Sequence, residues 1–289
     1  MTNDAQIDYW NGAPSDKWVR HQSEMDAVFE EHGTMMLDAA SLAPGMDVLD
    51  VGCGCGATSI ETSRRVGPSG RVHGVDISAP MLARATERAR AEARPNLAFE
   101  RADAQTHAFE GERYHAVVSR LGVMFFDDPV AAFTNLHGAL RPGGRLAFVC
   151  WQATTENPWI SLPMEIVSRF TPTEPMGGPG PGPFSLANAA RIRDVLGRAT
   201  FEDARVETAS IPVRFGRTAD EAARMLILLG PAGRALLAAE ESTKARATAS
   251  LVEELTPFVA PTGIVMDSRA WIVTARRADW RSVTPSLIV

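Results

Sequence analysis

Three cysteines in 289 residues, Cys53, Cys55 and Cys150, are too few for a disulfide framework. A chain of this length buries enough apolar surface to fold without one, as one large domain or as one domain carrying a sizeable insertion. Cys53 and Cys55 flank a single glycine, whereas zinc sites typically space their cysteines by two residues. The pair is therefore read as small residues in a tight turn, and no metal is expected. Uninterrupted apolar runs of about 18 residues are missing, so no membrane insertion is expected. The first residues, Met-Thr-Asn-Asp-Ala-Gln, lack the basic patch and apolar stretch of a signal peptide, and the expected location is cytoplasmic. A basic surplus is lacking too, with 35 acidic against 29 basic residues and no long block of like charge. That balance gives little grip on a polyphosphate backbone, so no nucleic-acid partner is expected.

The chain does contain a regular alternation of strand and helix patterns. Residues 1–40 read as an N-terminal helical arm or lid, with Val28, Phe29, Met35, Met36 and Leu37 near helical spacing and an aromatic group of Tyr9, Trp10 and Trp18 before them. Residues 41–151 then alternate: strand 47–51, helix 58–65, strand 71–75, helix 80–93, strands 97–101 and 115–119, helix 129–140, strand 145–151. Asp127 and Asp128 before Pro129 read as a helix start, and the Pro142, Gly143, Gly144 run as its stop. This order predicts an α/β fold whose parallel strands are covered by helices on both faces.

Residues 152–185 hold seven prolines and four glycines and are read as a surface loop or lid. From 186 to 289 the reading is a completion of the sheet: helix 185–197, strand 204–212 and a closing strand near 270–275. Helices inserted at about 219–256 lie between the last two strands and would form a substrate cap or a homodimer surface, because Met225 to Leu229 is more apolar than a one-sided surface helix needs.

Chemistry concentrates where strands end. After the first strand come Asp50, Gly52, Gly54 and Gly56, and glycines so placed let the backbone turn tightly against a ligand at a helix N-terminus. The third glycine arrives one residue sooner than in the dinucleotide fingerprint, and the acid just before the loop suits an ammonium group better than a pyrophosphate. Asp76, 22 residues beyond Gly54, ends the second strand, where a carboxylate accepts hydrogen bonds from both hydroxyls of a ribose. Asp103, after the third strand, can accept one from an exocyclic amine. All three acids converge on the crevice where open α/β sheets bind ligands.

Val48-Leu-Asp-Val-Gly-Cys-Gly-Cys-Gly56, the Val-Asp-Ile-Ser run at 75–78, Ala-Asp-Ala at 102–104 and Leu140-Arg-Pro-Gly-Gly-Arg145 resemble the successive motifs of class I S-adenosylmethionine-dependent methyltransferases. The nearest flavour is the small-molecule branch that includes ubiquinone and menaquinone biosynthesis enzymes, and the resemblance covers about residues 35–151. It implies a Rossmann-like, doubly wound, mostly parallel seven-stranded sheet, and S-adenosylmethionine as cofactor with S-adenosylhomocysteine as product. Gly52, Cys53, Gly54 and Gly56 would then surround the methionine end, Asp76 with Ile77 the ribose, and Asp103 with Ala104 the adenine. Asp50 would orient the loop or meet the amino group through water, and Ser119 and Arg120 would face donor and acceptor. After the fourth strand the chain reads Ser119-Arg-Leu-Gly122, in place of the Asp/Asn-Pro-Pro-aromatic motif of amino-directed nucleic-acid enzymes. No acidic set like that of the magnesium-dependent catechol type is seen.

The reaction so implied is direct in-line methyl transfer to a small, partly hydrophobic molecule, for which a general base is optional. No base is assigned, and the residues considered for catalysis are His21, Arg120 and His137. Tyr9, Trp10, Trp18, Arg120, Met124, Phe125 and Trp151 are the candidates for lid and acceptor wall, with Trp159 and Phe184 beside them. Two other readings stand at this stage: a nicotinamide-dependent oxidoreductase, which shares the sheet and Asp76, and a catalytically silent S-adenosylmethionine-binding protein.

Overall fold

The computed structural model describes residues 3–173, 178 and 180–279. Three helices form the N-terminal arm: α1 (Asp4–Trp10), α2 (Ala13–Arg20) and α3 (Gln22–Ala40). The buried face of α3 is Met25, Val28, Phe29, His32, Met36 and Leu37, a spacing of three and four residues, and the helix stops at Ser41 in the left-handed conformation. Then β1 (Asp47–Val51), α4 (Ala57–Val66), β2 (Arg71–Asp76), α5 (Ala79–Ala91), β3 (Leu97–Arg101), β4 (Tyr114–Arg120), α6 (Pro129–Ala139) and β5 (Leu140–Trp151) follow in the predicted order. Val48, Leu49, Val117, Val118 and Leu146 are fully buried along the central strands, each worth about 2 kcal/mol of apolar burial.

After β5 come α7 (Pro158–Ser168), α8 (Ala189–Arg198), β6 (Glu202–Gly216), α9 (Ala219–Leu229), α10 (Pro231–Leu236), α11 (Glu241–Leu255) and β7 (Ile264–Arg276). The seven-stranded sheet runs β3-β2-β1-β4-β5-β7-β6. Pairs β1–β2, β1–β4, β2–β3 and β4–β5 are parallel. The β7 strand runs against β5, because Gly143 N donates to Arg277 O at one end and Gln152 N to Arg269 O at the other. Strand order reverses between β1 and β4, which marks the crevice outside their carboxyl ends as the ligand position of a doubly wound sheet.

Five segments differ from expectation. Residues 158–168 of the proline-rich stretch form α7, since Pro158 sits at the first helical position, where its missing N–H costs nothing, and the helix accommodates Pro163. The stretch's Pro175, Gly177 and Pro179 lie outside the described residues. Strand β5 begins at Leu140 with no intervening turn: Tyr114 pairs with Leu140 and Ala116 with Arg145, so two steps on β4 face five on β5 and the Pro-Gly-Gly run bulges out. Arg277 donates to the carbonyls of His137, Gly138 and Leu140 and so satisfies the end of α6. The helical stretch read at 233–255 is two helices, α10 and α11, and β6 and β7 are longer than their sequence patterns.

The chain divides into two compact units. One takes in the chain up to Trp151, Gly180–Glu207 and the described residues from Trp271; the other takes in Gln152–Thr173 and Thr208–Ala270. The second unit has its own core of Met164, Val167, Ala232, Leu236 and Ala247. In it, Asn157 is held on both sides of its amide: Oδ1 accepts from Trp159 Nε1 (3.0 Å) and Arg269 N (2.9 Å), while Nδ2 donates to the Ala153 and Arg269 carbonyls. No helix among the described residues is long and apolar enough to cross a membrane.

Candidate active site

At the carboxyl ends of β1 and β4 two loops touch backbone to backbone. Gly52 has φ +65°, and a Cβ there would lie 2.7 Å from the Gly122 Cα. Leu121, just before Gly122, is itself held at φ +64°, a left-handed leucine that costs about 1–2 kcal/mol. Ser119 is fully buried, and its hydroxyl donates to the Val51 carbonyl (2.7 Å), so it braces β4 on β1. Its hydroxyl proton is therefore committed to the scaffold. The N-cap of α4 is Gly56, which provides no side-chain acceptor for the first-turn amides.

Two carboxylates underlie the glycine loop. Asp76 accepts from Gly54 N (2.8 Å) through Oδ2 and from Ser78 N (2.8 Å) through Oδ1. Burial pushes its pKa up, against the opposing pull of the Ser78, Gly54 and Ile77 amides. Asp50 is fully buried; Oδ2 accepts from Ser59 Oγ (2.5 Å), while Oδ1 has no hydrogen-bond partner among the described residues. Burial lifts its pKa to about 7, with the Ser59 hydroxyl and the Arg120 charge pulling the other way. Burial also pushes the Cys53 thiol well up and the Cys55 thiol to about 12, so neither is a nucleophile at neutral pH.

Ala102 N donates to Asp76 O, which brings the β3 loop beside β2. There Asp103 caps its own turn, accepting from Gln105 N (3.0 Å) and Thr106 Oγ1 (3.2 Å), and Asn135 Nδ2 donates to the Ala104 carbonyl. The structure thus assembles Asp50, Gly52, Cys53, Gly54, Gly56, Asp76, Ile77, Asp103 and Ala104 along one edge.

The arm reaches this edge through residues that the sequence analysis did not single out. Asn11 donates to the Ile77 carbonyl (3.0 Å) and accepts from Ala79 N (3.0 Å), which ties the arm to the loop after β2. Asp26 on α3 pairs with Arg88 (2.8 Å) and Arg120 (3.4 Å), and Arg88 also donates to the Cys55 carbonyl (2.6 Å). Trp10 meets Phe125 edge to face, Trp18 stacks on Phe29, and Trp151 meets His32 edge to face at 5.0 Å. His32 is fully buried; burial and then Arg120 lower its pKa to about 3, so it is neutral. Met124 is buried, and its carbonyl accepts from Gly182 N and Ser185 Oγ. The signal for Asp26 and His32 was available as polar residues on the apolar stripe of α3.

Other candidates fall elsewhere. His21 is half exposed and pairs with Glu24 at 3.5 Å, and His137 packs on Phe201 at the end of α6. Tyr9 is exposed, edge-on to Trp10. Among the described residues no group of three or more His, Cys, Asp or Glu side chains could hold a metal. A cleft of about 950 Å³ opens at the opposite, amino end of the strands, marked by Asp47, Arg71, Leu97 and Tyr114, and includes none of the glycine-loop residues.

Comparison with known proteins agrees with this geometry: residues 48–144 match the family described as a methyltransferase domain. These residues form a class I methyltransferase domain. Aklanonic acid methyltransferase of a Streptomyces species is 33% identical over 120 residues, covering 42% of this chain and 54% of that protein. Demethylmenaquinone methyltransferase of Lactococcus lactis is 32% identical over 118 residues, covering 41% and 45%. The chain therefore spans about half the length of these relatives. A phosphoethanolamine N-methyltransferase from Haemonchus contortus, solved with S-adenosyl-L-methionine, superposes with a TM-score of 0.53 at 18% identity, over 86% of this chain and 52% of that one, a likeness of fold.

Proposed function

We propose that the protein transfers the methyl group of S-adenosylmethionine to a small, partly hydrophobic molecule. The observation that carries this reading is the pair of carboxylates under the glycine loop, one organised by the Gly54 and Ser78 amides and the other buried with an unpartnered oxygen. That donor set fits the cofactor: Asp76 has acceptor capacity left for ribose hydroxyls, and Asp50 Oδ1 offers a hydrogen-bond acceptor behind a loop that would meet an ammonium group. The uncapped start of α4 fits its carboxylate. Asp103 and Ala104, fixed by Gln105 and Asn135, take the adenine side.

When bound, S-adenosylmethionine would supply a methyl group activated by a sulfonium leaving group. The protein's share is positioning. The contact of Gly52 with Gly122 fixes the separation of the donor loop from the β4 loop, and the arm helices, tied by Asn11 and Asp26, exclude water from the space between. No base is needed for an acceptor that arrives ionised.

Calorimetric titration with S-adenosylmethionine, S-adenosylhomocysteine and NAD tests the reading. Binding of both sulfur nucleosides, weakened roughly a hundredfold in Asp76→Ala by loss of a charged hydrogen-bond partner, is the expected result. Binding of NAD alone, or of none of the three, would overturn it.

A further inference from the structure

We propose that the protein holds a second ligand site, for a small phosphate-bearing anion, at the amino end of β5 and away from the cofactor crevice. The pocket has a volume of about 340 Å³ and lies within one compact unit, between the end of α3 and the strands β5, β7 and β6. Ser41, Arg145, Asp203, Arg205, Thr274 and Arg276 are among the residues that line it. Three of its lining residues are arginines and one is an acid, in a chain whose formal net charge is −6. Arg145 Nη1 donates to the Ser41 carbonyl at 3.4 Å, while Arg205 and Arg276 make no side-chain hydrogen bond among the described residues. None of the three guanidinium groups pairs with a carboxylate among the described residues.

The strand register sets two of these charges against each other. Gly144 O accepts from Arg277 N, and Gln152 N donates to Arg269 O. From 144 to 152 and from 277 to 269 are eight steps each, so the register runs unbroken and Arg145 stands opposite Arg276. That position falls between hydrogen-bonded pairs, where antiparallel side chains approach most closely on one face, and like charges so placed repel. Arg205 adds a third positive charge from the neighbouring strand, since β6 borders β7. Asp203, held at φ +54°, is the one acid among the lining residues and forms no ion pair among the described residues. Arg205 and Arg276 are exposed, so water carries their charge when no anion is bound. An anion of two or more charges ends the repulsion. Phosphate suits the array, because its tetrahedral oxygens meet guanidinium forks arriving from different strands, whereas a carboxylate's two coplanar oxygens fill one fork. The pocket's size matches a phosphate monoester or a diphosphate and not a polymer.

Calorimetric titrations with pyrophosphate, glucose 6-phosphate and malonate, each against sodium chloride of equal ionic strength, test the site. Pyrophosphate is expected to bind roughly tenfold more tightly than malonate. Arg145→Gln and Arg276→Gln should each weaken pyrophosphate binding about tenfold and leave S-adenosylhomocysteine affinity within about twofold. Asp203→Asn, where asparagine tolerates the left-handed backbone, should tighten it about two- to fivefold, a gain that a damaged fold would not give. Thermal unfolding adds a second sign. Without added anion Arg276→Gln should melt about 1 °C above wild type, because the opposed charges are gone, and it should lose most of the rise that pyrophosphate gives wild type. Tighter binding of glucose 6-phosphate than of pyrophosphate assigns the site to phosphate monoesters, and the reverse assigns it to diphosphates. Equal affinity for pyrophosphate and malonate, no binding beyond that of chloride, or pyrophosphate affinity unchanged in both arginine variants overturns the proposal. The anion titrations contain no nucleoside, so their failure leaves the methyl-transfer reading standing.

Discussion

The two ends of the parallel sheet make opposite use of polar residues. At the amino end, Tyr114, His73 and Glu100 satisfy one another: the phenol meets His73 Nδ1 at 2.7 Å, and His73 Nε2 meets Glu100 at 3.0 Å. At the carboxyl end, Asp50 keeps an oxygen with no hydrogen-bond partner among the described residues, and Leu121 is held in a strained conformation. The cleft of about 950 Å³ at the amino end holds this trio beside Arg94, whose buried Nε has no hydrogen-bond partner among the described residues. The two ends differ in what is left over: a carboxylate oxygen beneath a glycine loop at one, a guanidinium nitrogen beside Ala93 at φ +49° at the other.

The glycines break this comparison most sharply. Gly52 and Gly67 share nearly the same left-handed φ, +65° and +66°, but a Cβ on Gly52 meets backbone at 2.7 Å while one on Gly67 meets nothing within 4 Å. Gly52→Ala should therefore cost about 5 kcal/mol, backbone strain plus overpacking, and remove nucleoside binding. Gly67→Ala should cost about 2 kcal/mol, the strain alone, since its ψ of −176° lies in a region that is nearly glycine-only. Chemical denaturation of both variants beside wild type measures the difference; similar losses would mean that the contact between the β1 and β4 loops is not a tight constraint.

Next in size is the pH dependence of Asp50. Its folded pKa, about 7, lies above the ordinary carboxylate value of 3.8. A raised pKa stabilises the fold below the unfolded value, and that stability is lost as pH rises through the folded one. Asp50→Asn removes the titration, so its stability relative to wild type should improve by about 4 kcal/mol between pH 4 and pH 8. Urea titrations of the ligand-free protein at the two pH values read this directly. A difference that does not change with pH would show that Asp50 is not held against ionisation.

Much of this contrast was legible in the sequence, and the part that was not has physical causes. Gly52, Gly54, Gly56, Asp76 and Asp103 were visible because each follows a strand pattern at short range, and glycine and proline punctuate those strands. Helix α7 was hidden because Pro158 and Pro163 read as breakers, although proline at a helix's first position breaks no hydrogen bond. The Asp26, Arg88 and Cys55 connection joins residues far apart in the chain, and no periodicity announces which face of α3 meets α5. The same holds for Asn11, whose value lies in reaching Ile77 and Ala79 across 66 and 68 positions. The full lengths of β6 and β7 also escaped the sequence patterns, which showed 204–212 and 270–275 where the strands run Glu202–Gly216 and Ile264–Arg276.

The smallest effect tests the amino end itself. If Tyr114, His73 and Glu100 only satisfy one another, removing the phenol oxygen should cost one hydrogen bond and nothing else. Tyr114→Phe keeps the ring, which is fully buried and lies beneath the Arg113 guanidinium at 5.1 Å, so packing and the cation–π contact survive. The expected loss is about 1 kcal/mol in unfolding free energy, with affinity for S-adenosylhomocysteine unchanged. A loss of nucleoside affinity without further loss of stability would mean that the two ends of the sheet are coupled, and that the paired groups at the amino end serve the site as well as the fold.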